Sequence, residues 1–67
     1  MSTVSIIIIG NEILTGKFQD ENTPWLIEQC KRLHLTIQTV RIIIDDIDTI
    51  AEVVSVESQR SKYVFTT

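Results

Sequence analysis

Within thirteen residues, Gly10 to Asn22, the chain places the carboxylates Glu12, Asp20 and Glu21, the amides Asn11 and Asn22, and two bracketing glycines, Gly10 and Gly16. Glycine lets a backbone approach a ligand closely. The amides supply neutral hydrogen bonds, and the carboxylates accept them. A helix signal at Thr23-Pro24 follows at once, and the free N–H groups of a helix N-terminus suit a phosphate or another anion. The chemistry on offer is the binding of a polar, phosphate-bearing ligand. The competing reading is a solvated loop whose acids face water and whose asparagine caps a helix. Long loops in compact domains are either functional or mobile, so both readings stand at this point.

The stretch is not a phosphate loop of the familiar nucleotide-binding kind. Five residues separate Gly10 from Gly16 where that motif has four, and Phe18 stands where a Ser or Thr must hold magnesium. No catalytic residue is assigned. Asp45 and Asp46 can serve a metal or substrate, with Asp45 the candidate ligand, although aspartate at such a position more often caps a helix. Trp25 can stack on a ring ligand or, more commonly, pack on the sheet. His34 at a helix C-terminus serves the dipole. Cys30 has no base near it in sequence and reads as core packing.

These residues need a scaffold, and the apolar pattern supplies one. Val4 to Ile9 is a continuous β-branched run, as in a strand buried on both faces of a parallel sheet. Asn22 or Thr23 caps a first helix with Pro24 in its first turn, and Leu26, Cys30 and Leu33 form its inner face. That helix is expected to end near His34. Leu35 to Ile44 reads as a second strand, alternating at first as an edge strand does. Asp45-Asp46 then caps a second helix, with Asp48 in its first turn and Ile47, Ile50, Ala51 and Val54 as its stripe. Ser55 to Ser61 is polar, and fraying is expected there. Lys62 to Thr67 is a third strand.

The order β-α-β-α-β with right-handed crossovers gives an α/β fold, a parallel sheet in order 2-1-3 with helices on opposite faces. Its switch point lies between strands one and three, where open α/β sheets bind ligands. The chain reaches Thr66-Thr67 where a further loop of that site should begin, so the expectation is that part of the site lies beyond it.

Size and charge narrow the function classes. Sixty-seven residues with 43% hydrophobic content make one domain with a thin stability margin. The net charge of −3, with basic residues scattered among acids, gives no footprint for nucleic acid. One cysteine excludes an internal disulfide, and one histidine argues against a zinc site of the usual kind. The apolar run Ile6 to Ile9 is far shorter than the roughly 20 residues of a membrane helix and lacks a signal-peptide layout. A cytoplasmic protein with no membrane partner is expected.

The segment from Ile8 to Thr23, Ile-Ile-Gly-Asn-Glu-Ile-Leu-Thr-Gly-Lys-Phe-Gln-Asp-Glu-Asn-Thr, resembles the opening of the molybdopterin-binding (MoaB/Mog-like) domain. It is most similar to CinA-type proteins and to the N-terminal domain of eukaryotic-type FAD synthases, which share Gly-x-Glu-Ile-Leu-x-Gly…Gln-Asp-x-Asn-Thr. Val40 to Asp46 resembles the family segment ending in Pro-Asp-Asp, with Ile44 in place of the proline. Tyr63 to Thr67 resembles the strand leading into the family's glycine-rich Asp-Asp loop, which has no counterpart here. The likeness thus covers nearly the whole chain but only the first part of the domain.

The resemblance implies a three-layer, Rossmann-like fold. It also implies a pterin or adenine-nucleotide cofactor as ligand, and a divalent metal in those members that hydrolyse pyrophosphate bonds. Carried over by position, the ligand residues are Gly10, Asn11, Glu12, Gly16, Asp20, Asn22, Thr66 and Thr67, with Asp45 for a metal. Three functions are in view: one wall of a cofactor site without turnover of its own, a small hydrolase or nucleotidyltransferase completed by homo-oligomerisation, and an interaction module pairing through its open sheet edge.

Overall fold

A computed structural model describes residues 2–11, 16 and 22–67. Among them β1 (Thr3–Ile9), α1 (Asn22–Arg32), β2 (Thr36–Ile43), α2 (Ile47–Arg60) and β3 (Tyr63–Thr66) follow in order. The three strands are parallel and lie in the order β2-β1-β3, as the sequence pattern implies.

β1 is the centre of the sheet because both its faces are apolar. Val4, Ile6 and Ile8 pack with Cys30, Leu26, Ile27, Leu35 and Ile37 on the α1 side. Ile7 packs with Ile43, Val53, Ile9, Ile50, Val54 and Val64 on the α2 side. Strand side chains alternate between faces, so one isoleucine-rich strand feeds two cores, and the result is three layers.

The β1–β2 register shifts between Val4 and Ser5, leaving Gln38 as the extra residue of a bulge. The bulge answers a break in the sequence pattern. Leu35 and Ile37 alternate, then the apolar positions jump to Val40 and Ile42. One inserted residue keeps Ile37, Val40 and Ile42 all on the α1 side.

The helix ends differ from the sequence expectations. α1 stops at Arg32, two residues before His34. Leu35 N donates to Cys30 O (2.9 Å) and His34 N to Lys31 O (3.1 Å), with His34 at φ 58°. This is a Schellman cap with histidine in the left-handed position usually held by glycine. Leu33 therefore leaves the helix face and is 68% exposed. Trp25 is 62% exposed and does not pack on the sheet, because Leu26, Ile27 and Cys30 fill the inward stripe.

α2 begins as expected. The Asp46 carboxylate accepts from Thr49 N (3.0 Å) and from Thr49 Oγ1 (2.9 Å). These bonds hold its pKa below the ordinary 3.8. Ile47, expected on the inner stripe, is 84% exposed, since the first helical residue precedes the turn that meets the sheet. Nor does α2 fray. It runs to Arg60, and Ser61 N caps it through Glu57 O at 2.9 Å.

Candidate functional site

Parallel strands end together, so their following loops gather at one edge. At this carboxyl edge Gly10 N donates to Ile43 O (3.1 Å), which ties the exit of β1 to β2. Ile9 N donates to Thr67 O (2.9 Å) and Thr67 N to Ile7 O (3.0 Å), extending the β1–β3 ladder one residue past β3.

Two asparagines then bridge the loops. Asn11 Oδ1 accepts from the backbone N–H of Asp45 (3.1 Å), joining the loop after β1 to the loop after β2. Asn22 Nδ2 donates to Thr67 Oγ1 (3.1 Å), joining the first turn of α1 to the end of β3. Both bridges are exposed. The Asn22–Thr67 bridge lies on the β3 side of β1, where the strand order reverses, and the Asn11–Asp45 bridge lies on the β2 side.

Of the residues expected to bind ligand, the structure therefore brings together Gly10, Asn11, Asn22 and Thr67, with Asp45 beside them. Thr66 pairs with Ile7 inside the ladder and is exposed. Gly16 has φ 77° with open space where a side chain would stand, so any other residue there is strained by its backbone rather than by crowding. Glu12 and Asp20 lie outside the described residues. Among the described residues no group of three or more His, Cys, Asp or Glu side chains comes together. Among the described residues, the carboxylate of Asp46 is engaged in capping, and Asp45 by itself does not form a metal site.

The opposite, amino edge holds a cluster that sequence reasoning missed. Glu57 is fully buried. Its Oε1 accepts from Ser5 Oγ (2.8 Å), and its Oε2 meets Arg41 Nη1 (3.4 Å) and Arg60 Nη1 (3.3 Å). Ser5 Oγ and Ser61 Oγ share a bond of 2.7 Å, and Ser61 Oγ donates to Gln38 Oε1 (3.3 Å). The Ser5 hydroxyl is the main cause holding the Glu57 carboxyl below its ordinary 4.5. Burial opposes it, and Arg60 and Arg41 assist. Among the described residues no buried side-chain polar atom lacks a partner. A usable signal was present: Val53, Glu57 and Ser61 continue one helical stripe at a spacing of four, and Ser5 is the polar interruption of an apolar strand.

With this geometry in hand, comparison with known proteins is specific. Residues 5–67 match the family model described as "Probable molybdopterin binding domain". The chain is similar to the "Probable FAD synthase" of Caenorhabditis elegans, 40% identical over 67 residues, covering 96% of this chain and 12% of that protein. A "CinA-like protein" of Prochlorococcus marinus (strain MIT 9312) is 36% identical over 64 residues, covering 96% of this chain and 15% of that one. The crystal structure of the protein CinA, of unknown function, from Thermoplasma acidophilum superposes with a TM-score of 0.91 at 25% identity, over 97% of this chain and 38% of that chain. This chain thus spans a small part of the length of these relatives. Among the described residues no helix is long and apolar enough to cross a membrane.

Proposed function

The chain belongs to the molybdopterin-binding domain family, and from that premise we propose that its carboxyl edge is one wall of a site for a phosphorylated fused-ring cofactor, molybdopterin or an adenine-nucleotide cofactor. The observation that carries this reading is the pair of asparagine bridges at the carboxyl edge, Asn22 to Thr67 on the switch-point side of β1 and Asn11 to Asp45 on its β2 side. Glu12 and Asp20 join the wall by their place in the family motif, and Gly10, Gly16 and Thr66 shape its backbone. Binding without turnover is the activity proposed for this chain by itself.

Calorimetric titration of the chain with FAD and with AMP tests the reading. Weak binding is expected, with a Kd of about a millimolar, and Asn22→Ala together with Thr67→Ala should abolish it. Unchanged binding in that double variant would sink the reading. Nanomolar binding would mean that the 67 residues already form a complete site.

A second reading rests on a different observation. The outer edge of β3 has no strand partner among the described residues. Beside it Leu33, Leu35, Tyr63 and Phe65 line a shallow cavity of about 320 Å³. A second copy adding a strand there would complete the sheet and the site together, giving a hydrolase of nucleotide-cofactor pyrophosphate bonds or a nucleotidyltransferase, with Asp45 lending a carboxylate to a divalent ion. Light scattering decides this: a defined dimer that Val64→Pro disperses supports it, and a monomer at all concentrations removes it.

A further inference from the structure

We propose that Arg41 and Arg60 form an anion site for the phosphate group of a small phosphorylated molecule, at the edge of the sheet opposite the cofactor wall. The site is independent of that wall and shares no residue with it.

Its geometry starts from Glu57, whose side chain is fully buried, so a ligand cannot touch the carboxylate. Ser5 Oγ donates to Oε1 at 2.8 Å, a short and well-formed bond. Arg41 Nη1 and Arg60 Nη1 both come to Oε2, at 3.4 and 3.3 Å. A guanidinium committed to a carboxylate closes to about 2.7–2.9 Å. Neither arginine is committed in that sense. Each gives Glu57 one nitrogen of a group that carries several N–H donors.

Charge leads to the same place. One carboxylate neutralises one guanidinium, so the Arg41–Glu57–Arg60 triad keeps a positive charge. Among the described residues Glu57 is the only acid in ion-pair contact with either arginine. Their side chains are 41% and 50% exposed, which leaves the surplus charge and the unused donors toward water. Both guanidinium groups reach one oxygen atom, so they stand side by side although Arg41 comes from β2 and Arg60 from α2. Glu57 thus pins two forks together from behind. An anion laid across their outer edges relieves the repulsion between them. A planar carboxylate is satisfied by one fork, whereas the tetrahedral oxygens of phosphate can accept from two forks that approach from different elements.

The chain has three arginines, so the Nε–Hε signals of Arg41 and Arg60 can be followed by nuclear magnetic resonance with Arg32 as internal reference. The probes are inorganic phosphate and glycerol phosphate, with sodium acetate and sodium chloride at matched ionic strength as controls. Both phosphates should shift the Arg41 and Arg60 signals saturably and leave Arg32 in place. The controls should give no saturable shift. Arg60→Gln should weaken phosphate about tenfold, as loss of a charged hydrogen-bond donor does. Arg60→Lys still pairs with Glu57 but presents no fork. It should also bind phosphate more weakly, while its melting curve stays that of the parent.

Shifts of all three arginines together would mean a general ionic atmosphere and would overturn the site. Unchanged phosphate affinity in both Arg60 variants would overturn it as well. Acetate saturating as tightly as phosphate, or glycerol phosphate failing to bind, would overturn the ligand class assigned to it.

Discussion

The two ends of the sheet handle their polar groups in opposite ways. At the amino edge Ser5, Glu57 and Ser61 are buried, and none of their buried side-chain polar atoms lacks a partner. At the carboxyl edge Asn11, Asn22, Asp45 and Thr67 are exposed, with Asn11 joined to Asp45 and Asn22 to Thr67 at 3.1 Å. A buried network is costly to break, because each orphaned group keeps its full desolvation penalty. Exposed bonds exchange readily with water or with a ligand. One end of this domain thus holds its polar groups in a buried network, and the other holds them in solvent-exposed bonds.

The strongest way to break that contrast is Glu57→Ala. It removes the acceptor of the buried Ser5 hydroxyl and the ion-pair partner of Arg41 and Arg60 at once. In a chain this small the expected outcome is loss of the cooperative unfolding transition in circular dichroism at room temperature. If the variant melts like the parent, the amino edge is not the clamp described here.

Acid titration comes next. Glu57 and Asp46 both have folded pKa values below their ordinary 4.5 and 3.8. A lowered folded pKa gives stability that is fully present above the unfolded value and is lost as pH falls through the folded one. Denaturant midpoints should therefore be flat above about pH 4.5 and should decline below it. In Glu57→Gln the decline should be shallower and begin lower, with Asp46 remaining. An equally steep acid limb in that variant would remove Glu57 as its source.

The comparison sharpens with a matched pair of smaller changes. Ser5→Ala should destabilise by about 1–3 kcal/mol, the cost of leaving a buried acceptor short of its donor. Asn22→Ala should cost only about 0.5–1 kcal/mol, a net exposed hydrogen bond, yet weaken ligand binding. Chemical denaturation and titration of the two variants should rank them oppositely. The smallest effect is expected at His34, whose φ of 58° is unfavourable for a side-chain-bearing residue. His34→Gly should gain about 0.5 kcal/mol, relief of left-handed strain less the added freedom of the unfolded chain.

Much of the fold was legible because period and composition report burial directly. The β-branched run at Val4 to Ile9 announces a central strand, and the aspartates before Ile47 announce a helix start. The carboxyl-edge candidates were legible for a topological reason, since loops that follow parallel strands must gather at one end. Three features escaped. Leu33 is apolar and three residues from Cys30, yet a histidine adopting φ 58° ends the helix first. Ser55 to Ser61 looks like a fraying tail because a polar stripe is normally a solvated one. Trp25 looks like core because most tryptophans are.

The sequence by itself determined the order of elements, the central place of β1, the edge at which a ligand site can form, and through its motif the family. Local backbone preferences and apolar periodicity are properties of neighbouring residues, and they survive without knowledge of the fold. Tertiary structure alone decided that Glu57 is buried, that Gln38 is the bulged residue beside it, and that Asn22 meets Thr67. Those facts join residues 45 to 52 positions apart, or depend on strand register, as Ser5 to Glu57 and Asn22 to Thr67 show. A carboxylate is accepted inside only where distant partners converge on it, and no local window of sequence carries that information.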